Sequence, residues 1–386
     1  MAGSAVSGLS WSEVRARRLE RHGLARPLPG AGPADVVGAV ASVHAQVMSA
    51  AEVGVMTRTE TGTRQDVRDA LWKDRTLVKT YGLRGTVHLV PARDLGLWVG
   101  ALSAMPPVGL VQDPAVRLAP GQIEDVLGAA AEALTDAELT VEELTEEIVS
   151  RTGAWAGDLV MEAFQGKWPR WRQVMHLAGM RGALCFAPNK GRKVAFTHPS
   201  RWLPGFAPAA PEVAVPWLLR SYLHAYGPST PQRFAHWLNA PVTWAKDAFA
   251  AHRDELQAVE VEGRTEWVAA GDVAAPETPP TGVRLLPYFD GYAYRVGNQP
   301  PALLYPGVAA ERALRGNFQV LLVDGEVGGL WHQRRSGRKV AVTVEAFGPL
   351  TPGQHDDLVR QVDRLGEILE AVPTLTLGEV TVGGHA

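Results

Sequence analysis

The sequence predicts an α+β fold of four modules, on three observations. Helical periodicity gives way to a pair of short alternating stretches three times, in the same order each time. Breaks rich in Pro and Gly near 101–120, 199–212 and 271–282 separate these repeats. The last quarter is β-rich, with several short strand patterns before a final helix. At 386 residues the chain is some two and a half times the ~150 residues of an average domain, so several cores are expected. The modules are read as residues 1–115, 116–208, 209–280 and 281–386.

In the first module, Trp11 to Arg21, Pro33 to His44 and Arg64 to Trp72 have helical spacing, with Ser12 and Thr63 as candidate N-caps. Thr76 to Leu83 and Thr86 to Val90 read as strands joined at Arg84-Gly85, and Pro91-Ala92-Arg93-Asp94 starts another helix. The second module has helices at about 121–134, Thr140 to Arg151 and Trp168 to Arg181. Thr140 followed by Glu143 is a capping box. Its hairpin runs from Ala183 to Ala187 and from Val194 to His198, around Asn189-Lys190-Gly191-Arg192. The third module has helices at about Val213 to Ala225, Pro231 to Asn239 and Val242 to Leu256. The strands Gln257 to Val261 and Thr265 to Ala269 then flank Glu262-Gly263-Arg264. The fourth carries strands at Val283 to Pro287, Ala293 to Val296, Gln319 to Val323, Glu326 to His332 and Val340 to Val344, then a helix at about 354–370. It reads as a small barrel-like module.

Helices followed by a β-hairpin make the winged-helix form of the helix-turn-helix, in which a helix enters a groove and the hairpin touches backbone. Three in tandem followed by a C-terminal β-rich module point to a DNA-handling scaffold. The competing reading is an ordinary α+β protein in which helices and hairpins alternate.

Composition narrows the classes. With 46% hydrophobic and 20% charged residues the chain is globular, and no apolar run reaches the ~18 residues of a membrane span. The N-terminal MAGSAVSGLSWSEVRARRLE has no apolar signal core, so a cytoplasmic protein is expected. A lone cysteine, Cys185, excludes an intrachain disulfide framework, a Cys-rich zinc site and an iron–sulfur cluster. Net charge is −3, so any nucleic-acid surface must be a local patch. The 31 arginines against 7 lysines, with abundant Ala, Gly and Pro, fit GC-rich coding before they fit phosphate recognition.

Several catalytic templates fail: there is no His-Glu-x-x-His helix, Walker A loop, strand-led G-x-G-x-x-G or G-x-S-x-G elbow. No metal site and no cofactor are expected. Leu28-Pro29-Gly30-Ala31-Gly32 superficially matches the hairpin glycines of helix-hairpin-helix DNA glycosylases. No Asp lies between Asp35 and Asp66 to serve that chemistry, and a loop before a helix is the better reading. The informative stretch is Ser42-Val43-His44-Ala45-Gln46-Val47-Met48. Residues two apart diverge inside a helix, so His44 and Gln46 can point into one cleft only where the helix ends or distorts. A hydrogen-bonded core histidine is the competing reading of His44.

Four further stretches carry a resemblance. They are Asp74-Arg75-x-Leu77-Val78-x-Thr80 through Arg84-Gly85-Thr86-x-His88-Leu89, Ala225-Tyr226-Gly227-Pro228 with Thr230-Pro231, Leu285-Leu286-Pro287-x-Phe289-Asp290, and Val323-Asp324-Gly325 with Gly328-x-x-Trp331. Over almost its whole length the chain resembles the AlkZ and YcaQ family of winged-helix DNA glycosylases, bacterial enzymes that unhook interstrand crosslinks and remove bulky N7-alkylguanine adducts. Members carry Gln-x-Gln or Gln-x-Asp where this chain has His44-Ala45-Gln46. The resemblance implies a monofunctional, base-excising enzyme acting as a monomer on double-stranded DNA that carries alkylated guanine, with His44 and Gln46 catalytic. Alternatives are crosslink unhooking, a non-catalytic winged-helix regulator, and a protein-interaction scaffold. The expected DNA contacts are Lys190, Arg192 and Lys193 in the second wing and Arg334, Arg335, Arg338 and Lys339 near a C-terminal hairpin. Arg84 and His88 are assigned to the first wing, as contacts or as supports of the catalytic segment.

Overall fold

The computed structural model describes residues 8–106, 113–163, 166–293, 300–314 and 318–381, and the architecture is mixed α+β. The chain forms two compact units. One comprises Met1–Ala70, Leu219–Trp237 and Val242–Ala386, the other Leu71–Leu218 and Leu238–Pro241. No described helix is long and apolar enough to cross a membrane.

The first unit opens with the strand Gly8–Leu9 and the helix Trp11–Arg21. The cap of this helix is Ser10 and not the expected Ser12. The Ser10 hydroxyl accepts from the Glu13 amide at 3.3 Å, and the Glu13 carboxylate accepts from the Ser10 amide at 2.7 Å. A capping box needs its acid three residues after the cap, and Glu13 stands in that relation only to Ser10. Trp11 and Val14 pack with Val259, Val261 and Val268 of the hairpin Leu256–Val261/Arg264–Ala269, to which Gly8–Leu9 adds a parallel strand.

The Leu28–Gly32 stretch is a loop before a helix, as expected, and the Asp35 carboxylate accepts from the Gly32 amide at 3.2 Å. That helix is shorter than predicted: it spans Pro33–Ala39 and does not reach His44. Ala41 takes a left-handed φ of 66°, which no right-handed helix tolerates, and Val43–His44 is extended. The helices Met48–Met56 and Arg64–Trp72 follow, the latter with the Thr63 hydroxyl accepting from the Gln65 amide at 3.1 Å.

In the second unit the hairpin Leu77–Tyr81/Val87–Pro91 turns through Leu83–Gly85, with φ of 58° at Arg84 and 68° at Gly85. The helices Leu95–Ser103, Pro120–Thr135 and Val141–Thr152 are close to expectation, and Thr140 with Glu143 forms the predicted capping box. The hairpin Cys185–Lys190/Lys193–Thr197 completes this segment over a core of Leu134, Leu144, Ile148, Trp171, Leu184 and Phe196. One correction concerns Trp168. It lies in an unexpected hairpin, Leu159–Ala163/Gly166–Pro169, and the helix proper is only Met175–Met180, reached through a 3-10 turn at Arg170–Val174. Pro169 fixes its own backbone and restricts Trp168 to extended conformation, so the helical period cannot begin there.

The third repeat has the helices Pro211–Tyr226, Pro231–Leu238 and Val242–Ala251 before the Leu256–Ala269 hairpin. The C-terminal module is a five-stranded sheet in the order Val283–Leu286, Gln319–Val323, Glu326–Ser336, Lys339–Ala346 and Val372–Leu377. It is an open half-barrel with the first and last of these strands at its edges. Neighbours are antiparallel except the last pair, whose parallel register requires a crossover; the helix Pro352–Leu369 supplies it. Leu358, Val362, Leu365 and Leu369 recur at helical spacing and form its buried face. The strand Val372–Leu377 was not expected from sequence. Of the expected strand Ala293–Val296, Ala293 lies in a turn and the rest falls outside the described residues.

Candidate active site

His44 ends the short extended stretch Val43–His44, and a bend at Gln46 and Val47 leads into the helix Met48–Met56. The expected geometry, a distorted helix end, is therefore replaced by a short extended stretch that ends at His44 and a bend that carries Gln46. Ala45, which is fully buried, anchors the segment to the core, with the half-buried His44 before it and the exposed Gln46 after it.

The loop Pro287–Gly291 stands beside His44. The rings of His44 and Phe289 lie 4.6 Å apart between centroids, at 46° to each other. Phe289 has a φ of 61°, the left-handed region that a bulky residue occupies only when its surroundings hold it there. Asp290 does much of the holding. Its carboxylate takes Arg58 Nη1 and Nη2, each at 2.8 Å, and also accepts from the Tyr292 amide at 3.0 Å. The side chains of Arg58 and Asp290 are 3% and 4% exposed, so this is a buried bidentate ion pair. The loop packs on the helix Met48–Met56 at Gly54, where a Cβ would stand in ordinary contact, 3.4 Å from Pro287 Cγ and 3.6 Å from Asp290 Oδ2.

Behind this loop lies His22, wholly buried, whose Nε2–H donates to Ala225 O at 3.0 Å. Burial, and then the positive charge of Arg58, depress its pKa to about 3, so it is neutral at physiological pH. A void of about 20 Å³, the size of one water, is lined by residues including His22, Ser42, His44, Arg58 and Asp290. The helix Met48–Met56 is braced from two further sides. Buried Glu52 takes a bidentate pair from Arg68 at 2.7 and 3.1 Å, and Arg364 donates to Met56 O at 3.1 Å.

The expected DNA contacts divide into three groups. Arg334, Arg335, Arg338 and Lys339 are all exposed at the tip of the long hairpin Glu326–Ser336/Lys339–Ala346, where Ser336 pairs with Lys339 across Gly337-Arg338. Lys190, Arg192 and Lys193 are exposed at their turn, but Lys190 meets Glu143 at 3.1 Å and Lys193 meets Glu142 at 3.6 Å, so much of that charge is answered locally. Arg84 is half-buried at the first turn. His88 is corrected as a contact: it is 2% exposed, packs against Gly82 and has Nδ1 3.0 Å from Thr86 O, which makes it a support of the hairpin. Arg58, Phe289, Asp290 and His22 were missed as site residues. The motif containing Phe289 and Asp290 was visible as a resemblance, but the partner of Asp290 is 232 residues away.

Comparison with known proteins places the chain among the DNA glycosylases. A family model described as DNA glycosylase AlkZ-like matches residues 37–368. The chain belongs to this AlkZ-like DNA glycosylase family, and it is an enzyme of DNA repair. It is 33% identical over 338 residues to an interstrand DNA cross-link repair glycosylase of Streptomyces sahachiroi, covering 83% of this chain and 87% of that one. Its structure resembles that of the Streptomyces sahachiroi DNA glycosylase AlkZ with a TM-score of 0.77 at 27% identity, over 96% of this chain and all of the other.

Proposed function

We propose that the protein is a monofunctional glycosylase that hydrolyses the N-glycosidic bond of bulky N7-alkylguanine in duplex DNA, acting as a monomer without a cofactor. The observation that supports this reading is His44 at the end of the extended stretch Val43–His44, against the Phe289 ring and two residues before the exposed Gln46, in a chain of the DNA glycosylase family. Alkylation at N7 makes guanine cationic. As the C1′–N9 bond breaks, its electrons neutralise the base, so the leaving group needs no strong acid. Water then bonds to C1′ of the oxocarbenium-like sugar. Gln46 orients that water through its amide. His44 takes the proton when neutral, a task suited to imidazoles in general because their ordinary pKa is ~6.5. The products are a free alkylguanine and an abasic site. No lysine stands in the motif to form a Schiff base with that site.

Three winged-helix modules, residues 1–115, 116–208 and 209–280, are our reading of the three helix–hairpin repeats, with 281–386 as the β-rich module. A bulky adduct fits poorly in a tight flipping pocket, so the scaffold grips the duplex from outside, through backbone and minor groove. The exposed basic tip at Arg334, Arg335, Arg338 and Lys339 supports this mode. Such bulk is what DNA-alkylating natural products leave behind, and self-resistance to one is the role we assign. The name of the Streptomyces sahachiroi relative favours a second substrate, the interstrand crosslink. A crosslink bridging two guanine N7 atoms presents the same cationic base at each end, so one mechanism serves both.

Product analysis tests the reading. A duplex bearing one nitrogen-mustard adduct at guanine N7 is expected to give free modified base and an alkali-labile, otherwise intact strand. Sequence-selective binding of undamaged duplex with no base release would favour the regulator instead. No affinity for duplex at all would favour the interaction scaffold.

A further inference from the structure

We infer that Phe289 is a positioning residue for His44, and that the Arg58–Asp290 pair is what keeps it in place; this rests on the reading of His44 as the base that activates water. A base of this kind must hold one ring nitrogen within hydrogen-bond reach of the water throughout the reaction. His44 sits at the end of a short extended stretch and is half-buried. Phe289 bounds the imidazole on one side, an aromatic ring 4.6 Å from it and tilted 46° to it.

The loop is built to present that ring. At a φ of 61° Phe289 is in a conformation that its side chain disfavours, and each neighbour is tied down. Pro287 abuts Gly54, and Asp290 is locked between Arg58 and the Tyr292 amide. Gly291 admits no side chain, since a Cβ there would come within 2.6 Å of the Tyr226 hydroxyl. That hydroxyl donates to Val40 O at 3.1 Å, four residues before His44. The loop and the catalytic segment are thus registered to each other through Tyr226. The ring pairing also has a chemical consequence. When His44 takes the proton it becomes a cation against an aromatic face, which stabilises the charged state formed during hydrolysis more than the neutral one before it.

The test measures single-turnover base release and, separately, affinity for the same nitrogen-mustard duplex, in wild type, His44→Ala, Phe289→Leu, Phe289→Met and Phe289→Tyr. Loss of the ring is expected to slow release about tenfold, with affinity held within about twofold, and Phe289→Tyr to restore the rate. Two nonaromatic replacements keep the contrast readable if one of them fails to fold. Wild-type rates in the nonaromatic variants overturn the inference, as does a slowing matched by weaker binding or a failure of Phe289→Tyr to rescue. If His44→Ala itself releases base at the wild-type rate, the fault lies in the assignment of His44. If His44→Ala is inactive and Phe289→Leu is unaffected, only the role of Phe289 fails.

Discussion

Removing the Asp290 carboxylate is the sharpest structural perturbation of the site. In Asp290→Ala the Arg58 guanidinium keeps its charge in a position only 3% exposed and no longer has either carboxylate oxygen at 2.8 Å, leaving Gly54 O at 2.6 Å as its acceptor. The Tyr292 amide is deprived of its acceptor as well. An uncompensated buried charge of this kind costs about 3–5 kcal/mol. Replacing both partners, as in Arg58→Met with Asp290→Leu, removes the orphaned charge and is expected to recover most of the loss, because a buried ion pair is worth little more than an apolar pair of similar volume. Urea unfolding of the single and double variants, followed by tryptophan fluorescence, provides the comparison. A destabilisation under about 1 kcal/mol in Asp290→Ala, or a double variant no more stable than the single, would refute the argument that this pair is a desolvated clamp on the Phe289 loop.

His22 predicts a pH dependence. Its folded pKa is depressed from 6.5 to about 3, so the unfolded chain binds the proton more readily. The stability contributed by neutral His22 is full above pH 6.5 and is lost as pH falls from there toward 3, at roughly 1.4 kcal/mol per pH unit. His22→Gln keeps a donor for Ala225 O and should lose that slope, which urea titrations at pH 7 and pH 5 will reveal; an unchanged slope contradicts the assignment. The basic tips make a second prediction. Neutralising Arg334, Arg335, Arg338 and Lys339 should flatten the dependence of log affinity on log salt, by about 0.9 for each phosphate that the tip ceases to neutralise. Lys190 and Lys193, already met by Glu143 and Glu142, should change it less, and equal effects would show that those acidic partners do not hold them.

Much of the fold was legible because its signals are local. The Thr140–Glu143 capping box, the Gly191 turn and the continuous apolar run of Val320 to Val323 each lie within a few residues of sequence. Where the expectation failed, a distant or weak determinant decided. The helix from Pro33 stops early at the left-handed Ala41, a residue with no turn preference of its own. The strand Val372–Leu377 carries Pro373, which argues against a strand unless it lies at an edge, and this one does. The hairpin at Leu159 and Trp168 leaves both side chains exposed, so no alternation announces it.

The site was legible only in part, for the same reason. His44 and Gln46 stand out by their chemistry and spacing, yet the extended stretch at Val43–His44 and the bend at Gln46 were not apparent from a pattern that reads as helix. Asp290 looks like an ordinary acid after a strand. Its meaning comes from Arg58, and nothing in either neighbourhood points to the other. His88, by contrast, could be read as a contact or as a support of the first wing, and its burial at 2% exposure against Gly82 decides for the support.

The central claim is that His44 and Gln46 together carry out hydrolysis at guanosine C1′. Its most direct test is single-turnover release of modified base from a duplex carrying one N7-alkylguanine, with His44→Ala and Gln46→Ala assayed beside wild type at equal occupancy of DNA. The account predicts rapid release by wild type and a reduction of about 10²–10⁴-fold in each variant, the range for a positioned base or water-orienting group. Folded variants that bind the duplex and release base at the wild-type rate would contradict it.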